Sequence, residues 1–159
     1  MVPHPDSNLT IRRATPDDAD VIASFNVRLA EETEQVRLDG TRLRHGVNAI
    51  LGDPAKGLYF LAEVDGHPVG QLSVTYEWSD WRNGRFLWLQ SVYVDASHRG
   101  KGTFNRLFNH LRTIAEEDAS VCGFRLYVDK SNTAAHSIYR ELGFEAARYD
   151  LMELAFPPR

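Results

Sequence analysis

Apolar residues along this chain switch between two spacings, and the switches mark out its elements. Leu9 and Ile11 alternate with Thr10 and Arg12, the period-two pattern of a short strand. Thr15-Pro16-Asp17-Asp18 then reads as a helix start, with threonine as N-cap, proline in the first turn and carboxylates at the positive end of the dipole. Ala19, Ile22, Ala23 and Leu29 give that helix an inner face, and Glu31, Glu32 and Glu34 stand near its far end. Residues 38–51 carry a weaker helical pattern, closed by Gly52 and Asp53-Pro54. Two apolar runs, 58–64 and 67–76, flank Asp65-Gly66. Both residues of such a pair take φ > 0, which predicts a β-hairpin. Residues 78–84 read as a polar-aromatic loop and 86–94 as another strand.

From Arg99 the spacing turns helical again, with Phe104, Leu107, Phe108, Leu111, Ile114 and Ala115 on one side. Phe124, Leu126 and Val128 alternate on a strand. Asn132 caps a short helix carrying Ala135, Ile138, Tyr139 and Leu142, and Gly143 stands at its C′ position. Residues 144–156 read as one or two closing strands. The predicted order is β-α-α-β-β-β-α-β-α-β, an α/β chain on a mixed α+β sheet. Hairpins make its first half antiparallel, a strand–helix–strand crossover forces one parallel pair, and helices cover both faces.

At 159 residues, 43% hydrophobic and 25% charged, this is an ordinary globular length and composition. No repeat or linker divides it, so 1–8 is expected to be a disordered tail and 9–159 a single domain. A net charge of −4 and a pI near 5.8 argue against a nucleic-acid partner. Cys122 is the only cysteine, which excludes an intramolecular disulfide or a zinc cluster, and its apolar strand predicts buried packing rather than a nucleophile. His45, His67, His110 and His136 lack metal-ligand spacing, so no metal is expected. His98, Arg42 and Arg44 read as solvent-facing. The first residues lack a signal-peptide core and no apolar run could span a membrane, so the cytoplasm is the default expectation.

Candidate chemistry concentrates in residues 89–107, where a strand runs into Arg99-Gly100-Lys101-Gly102-Thr103 and a helix begins. Glycines let backbone N–H groups face inward, and the helix N-terminus adds positive potential, together an anion site suited to a pyrophosphate. Arg99 and Lys101 add full charges. The nucleotide P-loop pattern fails for want of an earlier glycine, and GxGxxG fails at Asn105. A glycine turn without any ligand would leave the same local pattern.

The turn does not stand alone. Arg99 through Gly102 match the Gln/Arg-x-x-Gly-x-Gly/Ala motif of the GNAT superfamily of N-acetyltransferases, and Asn132, Ala135, Tyr139, Gly143 and Phe144 match its Asn-x-x-Ala-x-x-x-Tyr and Gly-Phe pattern. The chain resembles that family from Leu9 to its C-terminus, departing from it at Phe104, where glycine or alanine is usual, and at Ala96, where proline is frequent. The resemblance implies a sheet splayed at its centre and acetyl-CoA as co-substrate. The pyrophosphate would sit on the amides of Arg99, Gly100, Lys101, Gly102, Thr103 and Phe104. The pantetheine arm would lie along Val92, Tyr93 and Val94 beside a bulge near Gln90-Ser91. Asn132 would hold that arm through its side-chain amide, Ala135 belongs to the same cofactor-binding motif, and Tyr139 would face the thioester sulfur.

Acyl transfer to an amine needs a deprotonated nucleophile, a donor for the developing oxyanion and a proton for the leaving thiolate. The Val92 N–H suits the oxyanion, and Tyr139 suits the thiolate unless it is only a core aromatic. Glu31 and Glu34 could bind an ammonium or take its proton, or could be a solvated helix end that opposes the dipole. Glu77, Trp78, Asp80 and Trp81 could bind an organic cation, or the tryptophans could cover an edge or a dimer contact. The resulting reading is an N-acyltransferase moving acetyl from acetyl-CoA to a primary amine of a small molecule by direct attack. A catalytically silent acyl-CoA-binding sensor is the alternative. A homodimer is the family-level expectation.

Overall fold

Strand pairing in the computed structural model, which describes residues 8–159, follows the turns predicted from the sequence. Asp65 and Gly66 take φ of 50° and 78°. They join β2 (Leu58–Val64) to β3 (His67–Ser79), while β1 (Leu9–Arg13) lies antiparallel on the far side of β2. A turn over 80–83 joins β3 to β4 (Gly84–Val94), again antiparallel. Between β4 and β5 (Val121–Leu126) runs α3 (Thr103–Glu117), and that crossover makes β4 and β5 parallel. The sheet order is β1-β2-β3-β4-β5. These elements belong to the first of two compact units, Met1–Leu126; the second, Tyr127–Arg159, contains α4 (Thr133–Glu141).

Both faces of the sheet are covered, which is why β2 is buried from Tyr59 to Ala62 without a break. Tyr59 and Leu61 point to one side and pack with Ile22 and Phe25 of α1 (Ala19–Thr33), Val47 of α2 (Gly40–Gly52) and Tyr93 of β4. Alternation sends Phe60 to the other side, where its ring meets His110 of α3 at 5.7 Å. Phe108 of α3 stacks edge-on against Phe124 of β5 at 5.2 Å. Ile22, Leu61, Leu72, Leu107 and Phe108 are fully buried, each worth about 1.5–3 kcal/mol of apolar burial.

Thr15 and Asp18 form a capping box around the single 3-10 turn Pro16–Asp18 ahead of α1. Arg12 bridges Asp18 at 2.8 Å and Glu63 at 2.7 Å, tying that turn to β1 and β2. The Arg12 guanidinium holds the Asp18 carboxyl below its ordinary range. Asp39 caps α2 by accepting from the Arg42 N–H at 2.9 Å.

Several boundaries differ from the sequence expectation. The β3–β4 hairpin extends through the supposed loop, because Trp78 pairs with Arg85 and Ser79 with Gly84. α3 starts at Thr103 rather than Arg99, since Gly100 and Gly102 take φ of 74° and 82°, outside right-handed helix. β5 occupies 121–126, earlier than the alternation at Phe124 to Val128 suggests. Cys122 is exposed, because the ladder passes from Val121 to Gly123 and skips it. The closing strands expected over 144–156 do not form. The segment enters no ladder, and Leu151, Met152, Leu154 and Phe156 stay exposed. Alternation alone gives a strand no partner for its backbone groups. Asn8, placed in the expected tail, donates to Asp65 at 2.7 Å; the rest of that tail lies outside the described residues. No helix among the described residues is long and apolar enough to cross a membrane.

Asp118, between α3 and β5, accepts from the Ser120 hydroxyl at 2.6 Å and N–H at 2.9 Å and pairs with Arg85 at 3.0 Å. Those donors, the hydroxyl first, hold its carboxyl down to about 2. A depressed carboxyl stabilises the fold fully above its unfolded pKa, and that contribution is lost as pH falls through about 2. Carboxyl NMR should therefore show an Asp118 midpoint near 2. Asp118→Asn should lose stability at neutral pH and converge on wild type in strong acid. A midpoint at the ordinary value of about 3.9 would overturn this.

Candidate active site

The ladder between β3 and β4 slips at one place, and the functional geometry of the first unit starts there. Gln71 pairs with Tyr93 and Ser73 with Gln90, so Ser91 and Val92 together oppose the single residue Leu72. Ser91 takes a φ of 49°, the left-handed conformation typical of a bulge and costly for a residue with a Cβ. Two carbonyls at the slip are held by side chains from β3. Gln90 O accepts from the Ser73 hydroxyl at 3.0 Å, and Ser91 O accepts from Gln71 Nε2 at 3.1 Å. Gln71, fully buried, also donates to Asn26 Oδ1 at 3.0 Å, and Asn26 in turn donates to the Tyr59 hydroxyl at 3.3 Å. Sequence reasoning missed this relay. An amide inside the apolar run Val69 to Val74 was its visible signal, because a buried amide requires partners.

On its other side β4 parts from β5. Their parallel ladder ends at Leu89 opposite Leu126, so residues 90–94 run past the last β5 pairing. Val92, Tyr93 and Val94, assigned to the pantetheine arm, lie on this stretch. The Tyr93 side chain is not on the surface with them. It is buried 5.3 Å from the Phe25 ring, its hydroxyl donates to Glu32 at 3.0 Å, and burial followed by that carboxylate raises its pKa. Only the Tyr93 main chain can face an added strand.

After β4, Asp95 accepts from the Ser97 N–H at 3.4 Å in a short turn, and the chain reaches Gly100 and Gly102. Gly102 is the N-cap of α3 and has no side chain to offer its amides. Arg106 is the first residue whose N–H reaches back into the helix, to Gly102 O at 3.0 Å. The first-turn amides of Thr103, Phe104 and Asn105 thus precede the helical ladder, the condition for anion binding. The Thr103 side chain does not contribute, being buried with its hydroxyl on His98 O at 3.2 Å. Arg99 is also committed. Its guanidinium pairs with Glu32 at 2.5 Å, donates to Val94 O at 2.8 Å and lies over the Tyr93 ring. The charge expected to meet a phosphate is therefore offset by Glu32, which Arg99 holds below the ordinary carboxylate range.

A cavity of about 370 Å³ opens between α1 and α2 and reaches Ser91 of the bulge. Leu29, Leu43, Val47 and Ile50 supply apolar wall, Tyr59 and Asn26 belong to the relay, and among the described residues Glu34 is the one carboxylate in the lining. Of the three glutamates ending α1, Glu34 faces the cavity, Glu32 is spent on Tyr93 and Arg99, and Glu31 is exposed outside the lining. A depression of about 540 Å³ over residues 39–45 is the surface of one helix start rather than an enclosure.

The second acceptor candidate does not join this site. Trp78 pairs with Arg85, six positions from Ser91, or about 20 Å at 3.3 Å per residue. Glu77 forms an ion pair with Arg125, Asp80 accepts from the Trp81 N–H at 2.9 Å, and Trp78 and Trp81 are 61% and 90% exposed. They occupy the far end of the hairpin.

In the second unit, Asn132 caps α4 by accepting from the Ala135 N–H at 3.0 Å. That contact engages its carbonyl oxygen, and the amide nitrogen is its donor group. Tyr139 stacks edge-on against Phe144 at 5.7 Å, and burial pushes its phenol above the ordinary value. Gly143, at φ 96°, ends the helix, with the Phe144 N–H on Tyr139 O at 2.9 Å.

The model of the acetyltransferase (GNAT) family matches residues 23–144, and the chain belongs to that family. A possible acetyltransferase from Clostridium difficile 630 is 46% identical, with 96% of this chain and 100% of that one covered at a TM-score of 0.89. Mycothiol acetyltransferase of Mycolicibacterium gilvum is 27% identical over 146 residues, 89% of this chain; the chain spans only 46% of that relative's length. A predicted acetyltransferase from Clostridium acetobutylicum, solved with acetyl-CoA, shares the fold at a TM-score of 0.76 and 18% identity, with 92% of this chain and 96% of that one covered.

Gln71→Met keeps the volume but removes the donor to Asn26 and Ser91. Leaving those buried acceptors unpaired should lower stability by about 1–3 kcal/mol in urea unfolding. A loss below about 0.5 kcal/mol would mean the relay does not hold the bulge.

Proposed function

We propose that this protein transfers an acetyl group from acetyl-CoA to a primary amine of a small molecule by direct attack. The observation that carries this is the pairing, in one strand and its sequel, of a parted β4 edge with a glycine-capped helix N-terminus. The edge can receive an amide-bearing arm by strand addition, and the amides beyond it can receive a diphosphate. Residues present fit those tasks: the main chain of Val92 and Val94 for the arm, and Gly100 through Phe104 for the diphosphate. Acetyl-CoA supplies the activated acyl group.

The Val92 N–H, in the bulge, is assigned to the charge that develops on the thioester oxygen. Glu34 is assigned to the amine. It binds the ammonium at the cavity wall and carries away its first proton, directly or through water, and the second N–H proton, acidified once the nitrogen has attacked, leaves to solvent. The C–N bond forms as the C–S bond breaks, and the leaving thiolate takes the phenol proton of Tyr139, which solvent restores. Support for Tyr139 comes from its motif spacing and from burial, which keeps the phenol protonated well into the alkaline range. No residue is required as a covalent carrier. The acidic chain supports a small-molecule acceptor over a nucleic acid.

Thiol release from acetyl-CoA, measured with a panel of primary amines, tests the reading. Tyr139→Phe should lower kcat roughly 10²–10⁴-fold while leaving acetyl-CoA affinity unchanged. Tight binding without turnover of any amine would favour the sensor alternative, and no binding would remove both.

A further inference from the structure

Built on the transferase reading, the cavity between α1 and α2 narrows the class of acceptor. We propose that the acceptor amine carries an apolar body, an alkyl or aryl group, seated between these helices with its ammonium at Glu34. The wall is aliphatic over Leu29, Leu43, Val47 and Ile50, and about 370 Å³ falls within the roughly 300–1,000 Å³ typical of small-molecule sites. A single carboxylate in such a wall suits one ammonium and leaves the several charges of a polyamine without partners. It also separates the acceptor from the acyl chain of the donor, which is uncharged and has no use for Glu34.

Gly46 points the same way. It stands in the interior of α2 on the stripe Leu43, Gly46, Val47 and Ile50, and it lines the cavity. Its φ is not positive, and a Cβ there would meet nothing within 4 Å, so neither backbone conformation nor packing requires glycine. Glycine in a helix interior is destabilising relative to alanine. A side chain there would project into the cavity space that the proposed apolar body would occupy.

Calorimetry on the protein saturated with coenzyme A, titrated with linear amines from ethylamine to hexylamine, tests this directly. Affinity should rise about fourfold per methylene until the cavity fills, and spermidine should bind no better than ethylamine. Gly46→Leu should flatten the series, and Gly46→Ala, the milder change, should weaken hexylamine while raising the melting temperature. A flat series in the wild type overturns the proposal, as does a preference for spermidine. It also fails if Gly46→Leu weakens hexanoyl-CoA and spares hexylamine, which would assign the cavity to the acyl chain. If the amine series rises while acetyl-CoA fails to bind, the cavity takes apolar amines but not as an acceptor site, and it is the transferase reading that falls.

Discussion

Two successive carbonyls of β4 meet side chains rather than a neighbouring strand, and the rest of the first unit is arranged around that substitution. A bulge leaves an extra residue outside the ladder, and its displaced, partly buried carbonyls need partners other than the strand backbone. Ser73 and Gln71 answer for Gln90 O and Ser91 O, and Asn26 and Tyr59 extend the relay into α1 and β2. One polar chain thus links the bulge to the inner helix and the opposite strand. The left-handed Ser91 is maintained by its surroundings, as strained backbone at functional sites must be.

The same helix is tied to the loop after β4 by a second polar cluster. Glu32 reaches both the Tyr93 hydroxyl and Arg99, and Arg28 pairs with Asp95 at 3.1 Å. α1 therefore meets β4 on both sides of Val92, through Asn26 and the bulge before it and through Glu32 and Arg99 after it. Such a clamp sets where the cavity wall stands relative to the strand edge. It also explains why the motif arginine is unavailable as a free counter-charge: its guanidinium serves as a strut between Glu32 and Val94 O.

Much of the fold was legible because it rests on local rules. The Asp-Gly hairpin, the threonine and asparagine caps, the glycine turn before α3 and the helical stripes are each set by neighbours a few residues apart. Family membership was legible for the same reason, since both motifs are contiguous. The errors were non-local. The alternation over 144–156 is real, yet it forms no strand, because a ladder needs a partner that periodicity does not name. Cys122 reads as core, but a slip in the β4–β5 ladder leaves it exposed. Trp78 and Glu77 were acceptor candidates, and strand pairing places them at the end of the hairpin far from the bulge, which their spacing could not reveal.

By itself, the amino-acid sequence determined the order of elements as far as α4, the glycine turn before α3 and the motif positions of Asn132 and Tyr139, because turns, caps and glycine conformations depend on immediate neighbours. Tertiary structure alone decided which of three adjacent glutamates faces the cavity, that Gln71 holds the bulge and that Gly46 opens space. Those assignments depend on which surface of a helix a distant strand covers, and no local spacing encodes that.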